Sequence, residues 1–316
     1  MDWLLYIPAL AFVKFLQALP LRWVARLGRA GGALAYRLDA RHRRVALRNL
    51  EMCLGNERSQ RELRALAKEN FKRIGENYAS AVKTAAMTVE ELRPHLQFVG
   101  LEKLYPEKFA REAPRRVVAI GHFGNFELYA RFGQYVPGVQ CASTYRALRQ
   151  PALNRLMQGM REKSDALLFE RRTDAEALKA AMKTPGILLG LLLDQHAGAG
   201  GVLVPFLGKD CSTSSSAAIF ALRYDCPLHT GICYRVALAR WVVEAGPEIP
   251  TRVAGQPRNV EEITLDINRA FEAAVRRDPA NWFWVHNRWK TAKPRPTASP
   301  QKAAAPVSTA AQPHRE

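Results

Sequence analysis

The chain opens on an almost unbroken apolar run, residues 3–19 (WLLYIPALAFVKFLQAL), interrupted by Lys14 and Gln17, carrying Pro8 and stopped by Pro20. It falls slightly short of the roughly 20 residues that cross a bilayer as a helix. A secretory signal would begin with positive charge and end at a small-residue cleavage site. This run begins Met1-Asp2 and leads into Arg22, Arg26, Arg29 and Arg37. The pattern predicts a retained membrane anchor over residues 1–22, the alternative being a buried amphipathic helix of the body.

Residues 57–83 place Leu63, Ala67, Phe71, Ile74, Tyr78 and Val82 at steps of three and four, which predicts one apolar helix face. From residue 115 the period changes. RRVVAIGH (115–122) reads as a short buried strand and FELYARFGQ (126–134) as a helix. A charged helical stretch (173–183) precedes the apolar run Ile187 to Leu193, which ends in Asp194-Gln195 and a glycine-rich loop (197–201). A Ser/Thr cluster (212–216) caps a helix through Leu222, strands follow at Leu228 to Val236 and Arg240 to Ala245, and residues 260–277 form a last amphipathic helix. The alternation predicts an α/β fold: a mixed, largely parallel central sheet wrapped by helices, preceded by the membrane-anchoring helix. Residues 23–291 are then one domain, and the Pro/Ala-rich residues 292–316 a disordered tail.

Charge narrows the partners. The 316 residues carry 47 Lys and Arg against 29 Asp and Glu, a net +18, so the field attracts nucleic acid, anionic lipid or an acidic protein. Residues 1–50 alone hold nine basic residues and two acids, and such a flank behind an apolar segment suits an anionic cytoplasmic leaflet. Five cysteines without a C-x-x-C pair read as core thiols in a reducing compartment.

Several chemistries are excluded by their missing signatures. There is no G-x-S-x-G, no P-loop and no H-E-x-x-H, and Leu203 occupies the third-glycine position of the dinucleotide-like AGAGGVL. No two histidines lie at helical ligand spacing, so His196 and His286 predict no metal site. Trp282, Trp284 and Trp289 read as packing or interfacial aromatics rather than nucleic-acid stackers. What remains is His122-Phe-Gly-Asn-Phe-Glu127, a histidine at the C-terminal end of a strand, where open α/β sheets gather their sites. Histidine takes a proton from a hydroxyl near neutral pH, and a carboxylate on its other nitrogen fixes the tautomer. With no serine in the motif, the nucleophile is the substrate's own hydroxyl.

IGHFGNFE resembles the H-x-x-x-x-[DE] signature of the bacterial lipid A late acyltransferases, within the wider glycerolipid acyltransferase grouping. The resemblance runs through RHRRVALRNL (41–50), Tyr145-Arg146 followed by Pro151, FERRTD (169–174), LLLDQH (191–196), VLVPFLGK (202–209) and NWFWVHNRWKT (281–291). It departs at Asn281 and Asn287, where the family usually has glutamine and arginine, at Leu207 and at His196. The resemblance implies transfer of a fatty acyl chain from an acyl-carrier-protein thioester to a hydroxyl of a lipid A precursor or similar anionic glycolipid. It implies the cytoplasmic face of the inner membrane, no cofactor, no metal and no nucleic acid. His122 would be the general base and Glu127 its orienting partner, with Arg161, Arg146, Arg171, Asp194 and Gln195 binding substrate or organising the site. The alternatives are the same chemistry on another lipid, such as a phosphatidylinositol mannoside, or a non-catalytic basic protein that binds lipid or nucleic acid.

Overall fold

A computed structural model describes residues 2–105 and 113–290; the expected tail, 292–316, lies outside the described residues. Four helices open the chain: α1 (Asp2–Ala18), α2 (Leu21–Leu38), α3 (Ala40–Leu54) and α4 (Gln60–Thr84). Two short helices, α5 (Val89–Leu92) and α6 (Leu101–Leu104), flank strand β1 (Leu96–Val99). Alternation then sets in with β2 (Arg116–Ile120), a 3-10 helix (Phe126–Gln134), β3 (Gln140–Tyr145), α7 (Pro151–Arg161), β4 (Leu167–Glu170), α8 (Ala175–Ala181) and β5 (Ile187–Leu192). A hairpin of β6 (Val202–Phe206) and β7 (Lys209–Thr213) follows, then α9 (Ser216–Arg223), β8 (Leu228–Ala237), β9 (Arg240–Ile249) and α10 (Val260–Arg277).

Seven strands form the central sheet in the order β1-β9-β8-β2-β5-β3-β4. All neighbours are parallel except β8 and β9, so the expected mixed, largely parallel sheet wrapped by helices is what the chain forms. Central strands read as continuous apolar runs because both faces are covered. Val117, Ala119, Leu189, Leu191 and Ile232 join α4, α9, α10 and the closing tryptophans in one core, while Val118, Ile120 and Leu188 face the 3-10 helix. On that second face Gly190 and Gly231 replace side chains beside Ile120.

Helix α4 starts at a capping box, with Ser59 and Glu62 each accepting from the other's backbone N–H. Its N-terminal half buries Leu63, Ala67 and Phe71 as the spacing predicts, but beyond Gly75 the buried face turns to Glu76, Asn77, Ser80 and Thr84. Glu76, Asn77 and Thr84 have partners, while the Ser80 hydroxyl is buried without one among the described residues. Glu76 accepts from Arg235 Nε at 2.7 Å and from the Ala239 amide at 3.0 Å, and Asn77 Oδ1 accepts from Trp241 Nε1 at 3.3 Å. Ile74, Tyr78 and Val82 are thereby left to line a groove beside α2. FELYARFGQ also departs from the expected α-helix: as a 3-10 helix it repeats every three residues and presents three ridges.

Helix α1 packs across α4 and α7, burying Val13 and Leu16, and Lys83 Nζ donates to the Gln17 carbonyl at 2.6 Å. Among the described residues no helix is long and apolar enough to cross a membrane. Helices α2 and α4 approach backbone to backbone. A Cβ on Gly28 or Gly32 would collide with the Gly75 or Phe71 carbonyl, whereas one on Gly31 would meet nothing within 4 Å. Gly32→Ala should therefore destabilise the fold by about 1–3 kcal/mol as overpacking does, while Gly31→Ala on the same helix should stabilise it by up to about 1 kcal/mol through helix propensity. Denaturation midpoints of the two variants, measured side by side, check the contrast.

Candidate active site

Strand β2 ends at Ile120, and the chain turns through Gly121 to Asn125 at the carboxyl edge of the sheet. In the parallel register Ile120 sits beside Leu192 of β5, so His122 and Asp194, each two residues further on, meet beyond the strand ends. His122 Nδ1 lies 2.8 Å from Asp194 Oδ1, and the His122 amide donates to Oδ2 at 2.8 Å. Trp282 Nε1 donates to the same Oδ2 at 2.9 Å. Asp194 is 1 % exposed. Burial alone would push its pKa up, but the His122 charge, the two bonds from His122 and the bond from Trp282 outweigh that and hold it well below the usual carboxylate range. An ionised carboxylate only accepts, so Nδ1 carries a proton and Nε2 is the ring nitrogen turned away from Asp194.

The imidazole lies between two phenylalanines, Phe126 at 4.8 Å and Phe283 at 5.7 Å between ring centres. Gln195 Nε2 is 3.4 Å from His122 Nε2. The Asp194 loop is held from beneath by Arg288, fully buried, which donates to the carbonyls of Leu193 (3.4 Å) and Gln195 and to Thr213 Oγ1 (2.9 Å). Asn281 secures the other side: its carbonyl accepts from the Gly124 amide at 3.1 Å and its Nδ2 donates to the Cys233 carbonyl at 2.9 Å. Burial lowers the His286 pKa to about 4, so its ring is neutral, and Nε2 accepts from the His196 amide at 3.1 Å.

Glu127 does not orient His122. Its carboxylate receives Arg161 Nε at 2.9 Å and Nη2 at 2.6 Å, a bidentate pair. The reason is the 3-10 geometry: Glu127 stands on the ridge next to that of Phe126, and it is Phe126 whose ring meets the imidazole. The carboxylate on Nδ1 is supplied instead by Asp194, 72 residues away in sequence. His122, Asp194 and Gln195 thus form one cluster, and Glu127 with Arg161 a second. Arg146 and Arg171 are exposed just beyond the ends of the paired strands β3 and β4 and belong to neither. Trp282, Arg288, Phe126 and Phe283 also stand around the imidazole and Asp194, beyond the residues the sequence motifs single out. The density of aromatic and polar residues in 281–289 is the sequence signal for three of them.

A narrow apolar channel of about 110 Å³ runs from Glu127 and Arg161 along the sheet, roofed by Phe126, Tyr129 and Phe132 and floored by Ile120, Gly190 and Gly231. Two glycines at mid-strand keep it open: a Cβ on Gly231 would stand 3.2 Å from both Ile120 and Val118, and one on Gly190 3.2 Å from Ile120. The arrangement can remove a proton from a hydroxyl, and Phe126 joins the imidazole to the wall of a narrow apolar slot. Among the described residues no group of three or more His, Cys, Asp or Glu is placed to hold a metal.

Known proteins are similar to this chain over most of its length. The sequence is 23% identical over 294 residues to the lipid A biosynthesis lauroyltransferase of Escherichia coli K12, covering 90% of each chain. It is 25% identical over 282 residues to the palmitoleoyltransferase of the same organism and to the lipid A biosynthesis acyltransferase of Shigella flexneri, covering 86% of this chain and 87% of each relative. Residues 1–291 match the family described as bacterial lipid A biosynthesis acyltransferase, and with the whole folded body inside that match the chain belongs to this acyltransferase family.

Proposed function

We propose that the protein transfers a fatty acyl chain from the thioester of an acyl carrier protein to a hydroxyl of a lipid A precursor, working at the cytoplasmic face of the inner membrane. The observation that carries this reading is the His122–Asp194 pair, 2.8 Å apart, whose imidazole packs against Phe126, a wall residue of the apolar channel. His122 Nε2 takes the proton of the acceptor hydroxyl as its oxygen attacks the thioester carbonyl, and Asp194 stabilises the resulting imidazolium. Gln195 Nε2, next to His122 Nε2, is positioned to donate to the developing oxyanion. Collapse breaks the C–S bond, the imidazolium returns its proton to the thiolate, and the ester and free carrier thiol leave. Glu127 and Arg161 line the channel mouth and act on substrate position. The acyl tail lies in the channel.

His122→Ala should lower turnover about 10²- to 10⁴-fold, and Asp194→Asn should come close to it by fixing the wrong tautomer. The double variant should be no slower than His122→Ala alone, since the two act as one unit. Steady-state transfer assays on folded variants check this, and full additivity would separate the roles.

Gly231→Ala fills the channel floor, so the longest accepted acyl chain should become shorter, with about a fourfold loss in kcat/KM for each methylene excluded. Competition between carrier thioesters of graded chain length, read by product mass, tests it; an unchanged length profile would put the chain elsewhere.

Acyl carriers are acidic, and Arg146 and Arg171 are exposed near the channel on a chain of net +18. Donor KM should rise as salt shortens the Debye length from ~10 Å at 0.1 M to ~3 Å at 1 M, and the paired charge reversal Arg146→Glu with Arg171→Glu should flatten that dependence. A salt-independent donor KM would count against a carrier-protein donor.

A further inference from the structure

A second, much wider apolar groove, about 950 Å³, opens between α1, α2, α4 and α7. Phe15, Leu27, Ile74, Val82, Met157 and Met160 are among its walls. We infer that this groove seats the acyl chains the acceptor lipid already carries, so that its hydroxyl reaches His122 from the side opposite the donor channel. The inference rests on the proposed lipid acceptor and extends it to a separate binding site.

The 3-10 helix is the partition. Its ridge of Phe126, Tyr129 and Phe132 faces the channel, its ridge of Leu128 and Arg131 faces the groove, and the ridge between them, Glu127 and Ala130, borders both. Arg161 also borders both, so the two apolar spaces meet only at the Glu127–Arg161 ion pair among the residues they share besides Ala130. The imidazole touches a wall of each space, with Phe126 of the channel 4.8 Å and Phe283 of the groove 5.7 Å from its ring centre. Two substrates with apolar tails must bring their polar reacting ends together while their tails stay apart, and this is the topology that does so.

Volume assigns which tail goes where. A space of about 110 Å³ leaves no room for more than one chain, whereas about 950 Å³ has room for several. The groove is also continuous with an apolar surface: Phe12, Phe15 and Leu27 line it and remain 60, 54 and 46 % exposed, beside exposed Leu5, Ile7 and Trp23 on α1 and α2. A lipid moves along such a surface into the groove without passing its chains through water.

Gly31 gives a clean test, because it lines the groove and a side chain there would enter open space, unlike Gly28 or Gly32 on the same helix. In full-length Gly31→Leu and Gly31→Trp, assayed with acyl-carrier thioester and a multi-chain lipid A precursor in mixed detergent micelles, KM for the lipid should rise tenfold or more. That corresponds to two or more displaced methylene contacts at about fourfold each. Donor KM should not move, the melting temperature should hold or rise, and the wild-type protein should discriminate against the same precursor stripped of its acyl chains. An unchanged lipid KM in Gly31→Trp would overturn the inference. So would a shift in donor chain-length preference, which would make the groove the donor site, or equal wild-type use of the stripped glycolipid. Failure of the wild-type protein to acylate any glycolipid would instead overturn the proposed function itself, a result distinct from any Gly31 effect.

Discussion

The site depends on one buried charge. Taking a carboxylate out of water costs several kcal/mol unless its lone pairs are met by well-placed donors, and Asp194 meets three: His122 Nδ1, the His122 amide and Trp282 Nε1. Those donors come from two segments that are remote in sequence, so satisfying one carboxylate fixes the loop after β2 and the closing segment against the end of β5. The closing segment is itself tied down from the helical layer. Asn70 Nδ2 donates to the carbonyls of Ala280 and Trp282, and Asn49 Nδ2 to those of Trp284 and His286. Arg288 answers the remaining carbonyls of the Asp194 loop. The imidazole is therefore held by a network whose members are almost all inaccessible, with its Nε2 on the Gln195 side.

The 3-10 helix matters for a different reason. An α-helix of 3.6 residues per turn would rotate successive aromatic residues off a common line, whereas a three-residue repeat keeps Phe126, Tyr129 and Phe132 stacked along one wall. The same repeat sets Glu127 on a neighbouring ridge, facing Arg161 rather than His122. The channel under this wall is as much a property of missing side chains as of present ones, since Gly190 and Gly231 lie on strands flanking β2, where β-branched residues would ordinarily pack.

Much of this was legible in the sequence, and the limits are physical. Helix α10, β2, β5, β8 and β9 follow from periodicity because each is apolar on a regular face or on both. The hairpin β6–β7 carries no strand signal because Pro205 interrupts its first strand, and β1 is only four residues long. His122, Asp194 and Gln195 could each be named from short motifs, yet which carboxylate faces the imidazole depends on β2 lying beside β5, and strand order leaves no local trace in sequence. The i to i+5 spacing names Glu127 as a neighbour in sequence, but His122 lies in the turn before the helix and the spacing alone does not bring the two side chains together. The departures at Asn281 and Asn287 are filled structurally: Asn281 binds the Cys233 carbonyl, and Asn287 Oδ1 accepts from Arg48 Nη2 at 2.8 Å.

The two sequence readings of the N-terminus, anchor and buried helix, each describe one side of α1. Val13 and Leu16 are buried against the body while Leu5, Ile7, Phe12 and Phe15 are exposed. Its 17 residues, at 1.5 Å each, reach about 26 Å, short of a ~30 Å hydrocarbon core, and its C-terminal end is bonded to α4. A helix fixed in this way, apolar on its exposed side and followed by the arginines of α2 and α3, has the makeup of an interfacial helix rather than of a spanning one. The exposed α1–α2 surface is also the outer wall of the wide groove, so under the proposed function the side chains that would meet a bilayer are those past which the acceptor lipid would enter.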